Sequence, residues 1–132
     1  MFLLCFYCMK YALAEEENEK VKEIIQTLEF FHIPENGVIV FKSTGSKTRR
    51  TIARIHGLNK LMQLGLGRQA FYVIELISEK YYSQPEEEQT KTLIHELMHI
   101  PHNFGGGFRQ HKPFVTHKQV ELVYQKFVSL KK

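Results

Sequence analysis

Apolar positions in residues 15–31 recur every three or four residues, with glutamate and lysine between them. This spacing predicts an amphipathic helix that packs one face on a core. A second helical stripe lies near the C-terminus, behind Thr116-x-x-Gln119, a pattern typical of a helix cap. The two stripes comprise Val21, Ile24, Ile25, Leu28 and Phe31, and then Val120, Val123, Tyr124, Phe127 and Leu130.

Three shorter apolar runs predict strands. Residues 38–41 follow the turn signal of residues 34–37, residues 51–56 alternate, and residues 70–77 form the strongest strand pattern of the chain. We interpret residues 70–77 as an edge strand of the sheet. Glu75, the single charge in that run, is then an outward-facing edge residue.

Two stretches between these runs are less regular. Residues 42–54 are rich in lysine and arginine and predict a solvated hairpin. Residues 58–67 mix leucines with glycines and predict an irregular or strand-like segment.

A central helix is predicted to begin near Gln84, because Ser83-Gln84-Pro85-Glu86 is typical of a capping box with proline in the first turn. Its apolar face comprises Leu93, Ile94, Leu97 and Met98, and Pro101 predicts its end at Ile100. With two further helices and about three or four strands, the pattern predicts a single α+β domain.

The amino-acid composition excludes some kinds of functional site. The 132 residues are 43% hydrophobic and 24% charged, which is ordinary for one globular domain. All 14 acidic residues are glutamates, which excludes a Ser-His-Asp triad and any aspartate-liganded metal site. The net charge of +4 permits contact with nucleic acid without requiring it.

Residues 1–9 contain no candidate functional site. Residues 1–9 are apolar but too few to span a membrane. We interpret Met9 as the native start, with residues 1–8 as an upstream extension and residues 9–132 as the domain. Cys5 and Cys8 form a lone C-x-x-C, which we interpret as two small apolar residues. No disulfide framework is indicated, so we expect a cytoplasmic protein without membrane contact.

The predicted central helix contains His95-Glu96-Leu97-Met98-His99, an H-E-x-x-H motif. Residues four apart share one helix face, so His95 and His99 can bind one Zn²⁺ ion. Glu96 then lies beside the metal and can take a proton from a bound water. This pattern is typical of zinc metallopeptidases.

A catalytic zinc ion usually has three protein ligands, so one more is needed here. We favour His111, because the glycines of residues 105–107 allow the chain to turn back toward the metal. His102, His117 and Glu121 stay open as alternatives. The metzincin pattern does not fit, since His102 stands at its glycine position and Gly105 at its third histidine.

Other side chains are candidates for contact with a substrate or a partner. Arg109, Tyr72 and Tyr124 are candidate donors to the oxyanion of a cleaved peptide bond. The basic residues of residues 42–54 are candidates for contact with nucleic-acid phosphates: Lys42, Lys47, Arg49, Arg50 and Arg54.

The segments TLIHELMHIP and GGGFRQH, with YVIEL and RRTIARIHG upstream, resemble a family of small archaeal and phage metallopeptidases. The resemblance runs from about Met9 to the C-terminal helix. It implies a zincin-like fold, His95, His99 and His111 as metal ligands, and Glu96 as the catalytic residue. In zincins an edge strand above the active-site helix binds the substrate backbone by strand addition, and residues 70–77, the strand closest in sequence to that helix, are the candidate. A looser resemblance to SprT-type proteases lies in residues 111–114, although Lys112 replaces the glycine common after that histidine.

The sequence therefore predicts a zinc-dependent metallopeptidase with one Zn²⁺ per chain, acting on a peptide or protein. The alternative is a nucleic-acid-associated binding protein with a structural or degenerate zinc site. A closed four-ligand site would favour that alternative, because structural zinc ions have no open position.

Overall fold

The computed structural model describes residues 10–132. The interpretations of residues 1–8, of Met9 as the start and of the two cysteines fall outside this described part. None of the helices within it combines the length and the apolar character that crossing a bilayer requires.

Within the described residues, four strands build one mixed sheet in the order β1-β2-β4-β3. β2 and β4 are parallel, whereas β1 with β2 and β3 with β4 are antiparallel. The strands are β1 (Lys10–Leu13), β2 (Val38–Thr44), β3 (Ala53–Gly57) and β4 (Tyr72–Ile77). The helices are α1 (Glu15–Leu28), α2 (Lys60–Leu66), α3 (Ser78–Tyr81), α4 (Glu86–Met98), α5 (His111–Phe114) and α6 (His117–Lys131). The predicted α+β class is confirmed.

The core lies on the sheet face that carries Tyr72, Ile74 and Leu76 of β4. α4 packs against α6 and β3, and α1 packs against α6 and β2. The helical stripes supply the buried residues Val21, Ile24, Leu28, Leu93, Ile94, Leu97, Val120 and Phe127. Since α4 is held between β3 and α6, its C-terminal turn has a fixed position beside the sheet edge.

Two ends of the predicted stripes are wrong. α1 stops at Leu28 because Glu29 adopts a left-handed conformation with φ of 56°, and Phe31 beyond it is exposed. Leu130 is also exposed, since it lies in the last turn of α6, where the helix extends past the core.

The strand of residues 70–77 is not an edge strand. β4 has β2 on one side and β3 on the other, so the sheet edge beside α4 is formed by β3. The interpretation of Glu75 as an outward-facing edge residue is therefore wrong too. Its carboxylate is buried and accepts hydrogen bonds from the Ser43 hydroxyl at 2.8 Å and from His56 Nε2 at 2.9 Å.

The charge of Glu75 is stabilised where it lies. Burial alone would raise the pKa of its carboxyl group. The hydrogen bonds from His56 and Ser43 and the nearby charge of Arg54 outweigh burial, so the pKa is lowered from its usual value. Arg54 Nη1 lies 3.5 Å from the Glu75 carboxylate.

The predicted hairpin in residues 42–54 is wrong. β2 and β3 are not neighbours, because β4 lies between them in the sheet. Residues 45–52 instead form a connection that leads from the end of β2 to the start of β3.

Residues 58–67 are also not strand-like, since they contain α2. The Asn59 side chain caps this helix by accepting from Met62 N, and Gly67 ends it in a left-handed conformation with φ of 66°. The leucines do not mark a buried face of this helix, because most of them are exposed: Leu61, Leu64 and Leu66. No apolar stripe therefore indicated a helix here.

Of the two predicted caps, one is confirmed. Thr116 and Gln119 form a capping box at the start of α6. The predicted box at Ser83 is wrong, because the Ser83 hydroxyl donates to the carbonyl of Lys80 at 2.8 Å. Pro85 occupies the N-cap of α4, and no side chain caps that helix.

Candidate metal centre

The last turn of α4 places His95 and His99 side by side. Their Nε2 atoms are 3.3 Å apart, because residues four apart share one helix face. His99 directly follows the last residue of α4 and keeps helical backbone angles, with φ of −72° and ψ of −15°. The opposite face of this turn is anchored in the core by Leu93, Ile94 and Leu97.

A run of three glycines, residues 105–107, returns the chain from α4 toward His111. Gly106 has φ of 102°, a conformation that side chains with a Cβ rarely adopt. A Cβ atom on Gly106 would also collide with the backbone carbonyl of Leu58. The loop therefore needs glycine at this position.

Two side chains anchor the glycine loop to the rest of the fold. Gln63 of α2 donates from Nε2 to the Gly105 carbonyl at 2.8 Å. The Tyr72 hydroxyl of β4 accepts from Gly106 N at 2.8 Å and donates to the Gly107 carbonyl at 2.7 Å. These bonds fix the path of the chain before it reaches His111.

His111 emerges from this loop beside the histidine pair. Its ring centroid lies 5.5 Å from that of His95 and 4.6 Å from that of His99. One ligand nitrogen from each of the three rings lies within 4.8 Å of the others. The structure thus brings together the three histidines that the sequence analysis selected.

The tautomer of His99 follows from its partner. Its Nδ1 lies 2.7 Å from the backbone carbonyl of Arg109. Since a carbonyl only accepts, Nδ1 carries the proton, and Nε2 keeps a free lone pair directed at His95. Such an outer hydrogen bond is usual for a histidine that binds a metal. The Arg109 backbone N–H closes the link by donating to the His99 carbonyl at 2.8 Å.

The histidine cluster fits a metal ion. Two nitrogens that bind zinc at about 2.05 Å with tetrahedral angles lie about 3.3 Å apart, which is the separation of the His95 and His99 Nε2 atoms. Burial, followed by the neighbouring His99 and His111, lowers the pKa of His95 to about 4. Burial also lowers the pKa of His99. Both rings are therefore neutral at pH 7, the form that binds a metal.

Glu96 lies on the same turn and is buried, with 7% of its surface exposed. Burial raises the pKa of its carboxyl group to about 7. A carboxylate with a pKa near the working pH is well suited to accept and return a proton. The Glu96 side chain lines the cleft, so it can reach a bound molecule.

The histidine cluster lies at the meeting point of two pockets. One has a volume of about 700 Å³ and extends toward α6, and the other, of about 390 Å³, extends toward Phe108 and Arg109. His95, Glu96, His111 and Ala53 line both. The start of β3, which forms the sheet edge, therefore runs along a continuous cleft that passes the three histidines.

The profile of one protein family, described as "Putative phage metallopeptidase", matches residues 9–122. The chain belongs to this phage metallopeptidase family. Neither a curated protein nor a solved structure matches the chain. The phage side of the predicted resemblance is thereby confirmed, while the archaeal side and the likeness to SprT-type proteases stay predictions.

In this member of the phage metallopeptidase family, the alternative third ligands lie apart from the histidine cluster. The Glu121 carboxylate is bound by Lys91 Nζ at 2.7 Å. The His102 ring lies against the His32 ring, with centroids 4.5 Å apart and a tilt of 45°, and His117 is exposed at the start of α6. Within residues 10–132, none of these joins the group of metal-binding side chains.

The candidate oxyanion donors are placed differently from one another. The buried hydroxyl of Tyr72 donates to the Gly107 carbonyl and anchors the glycine loop, so its proton is already engaged in a hydrogen bond. Tyr124 carries the ammonium of Lys91 over its ring at 5.1 Å and does not line either pocket. Arg109 does line the smaller pocket, beside the histidines.

The basic residues fall into two groups. Lys47, Arg49 and Arg50 are exposed in the connection before β3, and Arg50 lines the larger pocket. Arg54 pairs with Glu75, so part of its charge is neutralised. Lys42 lies on β2 with its ammonium 5.6 Å from the ring of Tyr82.

Two features of the site were missed in the sequence. Gln63 is a buried anchor of the glycine loop, and its sequence signal is the Asn59 cap of the helix that carries it. The position of β3 at the edge beside α4 was also missed. No local pattern reveals it, since strand order depends on contacts between distant segments.

Proposed function

We propose that the chain is a zinc-dependent peptidase with a zincin-like fold. His95, His99 and His111 are the metal ligands, and Glu96 is the general base. One observation supports this most: ligand nitrogens of three histidines converge within 4.8 Å next to a buried glutamate in an open cleft.

Zinc bound by three histidines would leave a position for water, polarise a peptide carbonyl and lower the pKa of that water. The chain's own groups do the rest. Glu96 accepts the proton of the attacking water and passes it to the departing amine. The raised pKa of Glu96, about 7, supports both transfers near neutral pH.

The cleft suits an extended peptide. β3 is the last strand in the sheet order, so its outer edge has no strand partner within residues 10–132. A substrate backbone can add there as a further strand, as peptides do at many exposed sheet edges. Residues 53–55 of β3 line the cleft, so an added strand would pass the histidines and Glu96.

Glu96→Gln tests this function. The amide keeps the size of the side chain but cannot accept the proton, so we expect bound zinc to be retained and peptide hydrolysis to fall by about 100-fold or more. Glu35→Gln, an equal change on an exposed turn, is the matched control. Zinc is measured by elemental analysis and hydrolysis with a quenched-fluorescence peptide library. Full hydrolysis by Glu96→Gln would exclude Glu96 as the base.

A second proposal concerns the exposed connection of residues 45–52. Lys47, Arg49 and Arg50 form no ion pair with any carboxylate of residues 10–132. We propose that they contact phosphates of a nucleic acid, which would bring the peptidase to nucleic-acid-bound substrates.

Each phosphate contact releases counterions, so binding should weaken steeply with salt. Replacing Arg49 and Arg50 together should make the negative slope of log affinity against log salt less steep by about two. Fluorescence anisotropy with a labelled DNA oligonucleotide measures both quantities. Binding that is absent at low salt, or a slope unchanged in the double variant, would contradict the proposal.

A further inference from the structure

Arg109 has an unusual position for a charged side chain. It stands two residues before His111, and its backbone makes two hydrogen bonds with His99. The Arg109 carbonyl accepts from His99 Nδ1 at 2.7 Å, and the Arg109 N–H donates to the His99 carbonyl at 2.8 Å. The side chain therefore leaves the backbone at a fixed place beside the histidine cluster.

The guanidinium group is held by stacking rather than by an ion pair. Arg109 Cζ lies 4.6 Å from the centroid of the Phe114 ring. Stacking occupies the flat face of the guanidinium and leaves the N–H groups at its edge free to bind a ligand. No carboxylate of residues 10–132 lies within ion-pair distance of Arg109.

The pocket that Arg109 lines has the chemistry of an anion site. Besides the histidines it is lined by Phe108 and Ile55, and Glu96 is its one acidic residue. Arg54 lines it too, but its charge is shared with Glu75. An arginine fork with free N–H groups binds a carboxylate through two parallel hydrogen bonds.

We infer that Arg109 forms a carboxylate-binding subsite of the cleft. The peptidase then prefers peptides that carry a carboxylate near the cleaved bond, either an acidic side chain or the free C-terminus. This inference rests on the proposed peptidase function.

The test uses the zinc-loaded chain of 132 residues and matched peptide pairs. One pair differs by Glu against Gln near the cleavage site, and the other by a free against an amidated C-terminus. We expect the carboxylate form of one pair to be cleaved with about tenfold higher kcat/KM, the value of a charge-assisted hydrogen bond. The pair that shows the difference identifies the source of the carboxylate.

Variants assign the preference to Arg109. In Arg109→Gln the ratio within the pair should fall to about one, and Arg109→Lys should recover part of it, because the charge returns without the fork. Arg68→Gln is the matched control, since Arg68 also stacks on an aromatic ring, Phe71, at 4.8 Å but lies outside both cleft pockets. Its ratio should equal that of the wild type.

The outcomes separate this inference from the proposed function. Cleavage of both members of each pair at equal kcat/KM overturns the carboxylate subsite and leaves the peptidase function intact. A ratio that survives in Arg109→Gln also overturns it. Cleavage of no peptide counts against the peptidase function, and the same pairs are then compared by binding. In that comparison a tenfold lower Kd for the carboxylate form supports the subsite, and equal Kd values overturn it.

Discussion

Replacing Tyr72 with phenylalanine removes one oxygen atom from the anchor of the glycine loop. The ring is fully buried and packs edge-on against Phe104 and Phe108, with centroids 5.0 and 5.8 Å away. Phenylalanine keeps these contacts. What is lost is the hydrogen bond from Gly106 N at 2.8 Å and the one to the Gly107 carbonyl at 2.7 Å.

The loss of these two hydrogen bonds lowers the free energy of unfolding by different amounts. Gly106 is buried, so its N–H is left without a partner, which costs about 1–3 kcal/mol. Gly107 is exposed, and water can replace the hydroxyl at its carbonyl. We therefore expect Tyr72→Phe to lower the free energy of unfolding by about 2 kcal/mol. For a domain of this size that is a drop in Tm of about 6–10 °C.

The loop also positions His111, so zinc affinity should fall together with stability. Outer-shell substitutions at metal sites typically lower the affinity about 10- to 100-fold, and we expect about tenfold here. Thermal unfolding followed by circular dichroism gives the Tm of the metal-free chain. Competition with a zinc-binding dye gives the affinity.

Tyr81→Phe is a matched control. Tyr81 is also fully buried, but its hydroxyl has no hydrogen-bond partner among residues 10–132. Removing that hydroxyl should leave stability unchanged or raise it by about 1 kcal/mol, with zinc affinity unaffected. Equal Tm and equal zinc affinity for Tyr72→Phe and wild type would refute the assignment of Tyr72 as the loop anchor.

Two further predictions follow from backbone conformation and from charge. Gly106→Ala should abolish zinc binding or folding, because its Cβ would meet the Leu58 carbonyl. Gly65→Ala, in α2 with open space around it, should stabilise the chain by up to about 1 kcal/mol in the same unfolding assay. The pKa of Glu75 is lowered in the folded chain, so its stabilising contribution is present above the unfolded pKa of about 4.5 and is lost as pH falls through the folded pKa. Glu75→Gln should therefore flatten the loss of Tm below pH 4.5, and an acid profile identical to the wild type would contradict this.

Much of the fold was predictable because the core helices carry clear periodic patterns. Apart from Phe31 and Leu130 at their ends, the stripes of α1 and α6 and the apolar face of α4 are buried or half-buried, as their spacing required, since each helix packs one face on the core. The strands at residues 38–41, 51–56 and 70–77 were located because each is a short apolar or alternating run. α2 was missed because its leucines face outward and its identity rests on Asn59 and Gly67 at its ends.

The order of the strands could not be predicted from local patterns. The apolar run of β4 is consistent with an edge strand or a central one, and its closeness in sequence to the central helix favoured the edge. In the fold, Ser43 and His56, from strands on either side, satisfy that carboxylate. Partners distant in sequence thus decide where a buried charge is tolerated.

The candidate metal ligands could be located from the sequence, whereas the side chains that anchor the glycine loop could not. The spacing of His95 and His99 on a helix and the glycine turn before His111 are local features. The Gln63 and Tyr72 anchors are not, because they join α2 and β4 to a loop more than thirty residues away. The sequence suggested Tyr72 as an oxyanion donor, since a tyrosine near a metal motif has no pattern that distinguishes an anchor from a catalytic group.

The claim that three histidines hold one metal ion is tested most directly by measuring zinc per chain. Elemental analysis is made on purified wild type, His111→Ala and His117→Ala, the last being an exposed histidine outside the cluster. We expect about one zinc ion per chain in wild type and in His117→Ala, and a clear loss in His111→Ala. A wild type without zinc, or full zinc retention by His111→Ala, would contradict the three-histidine site.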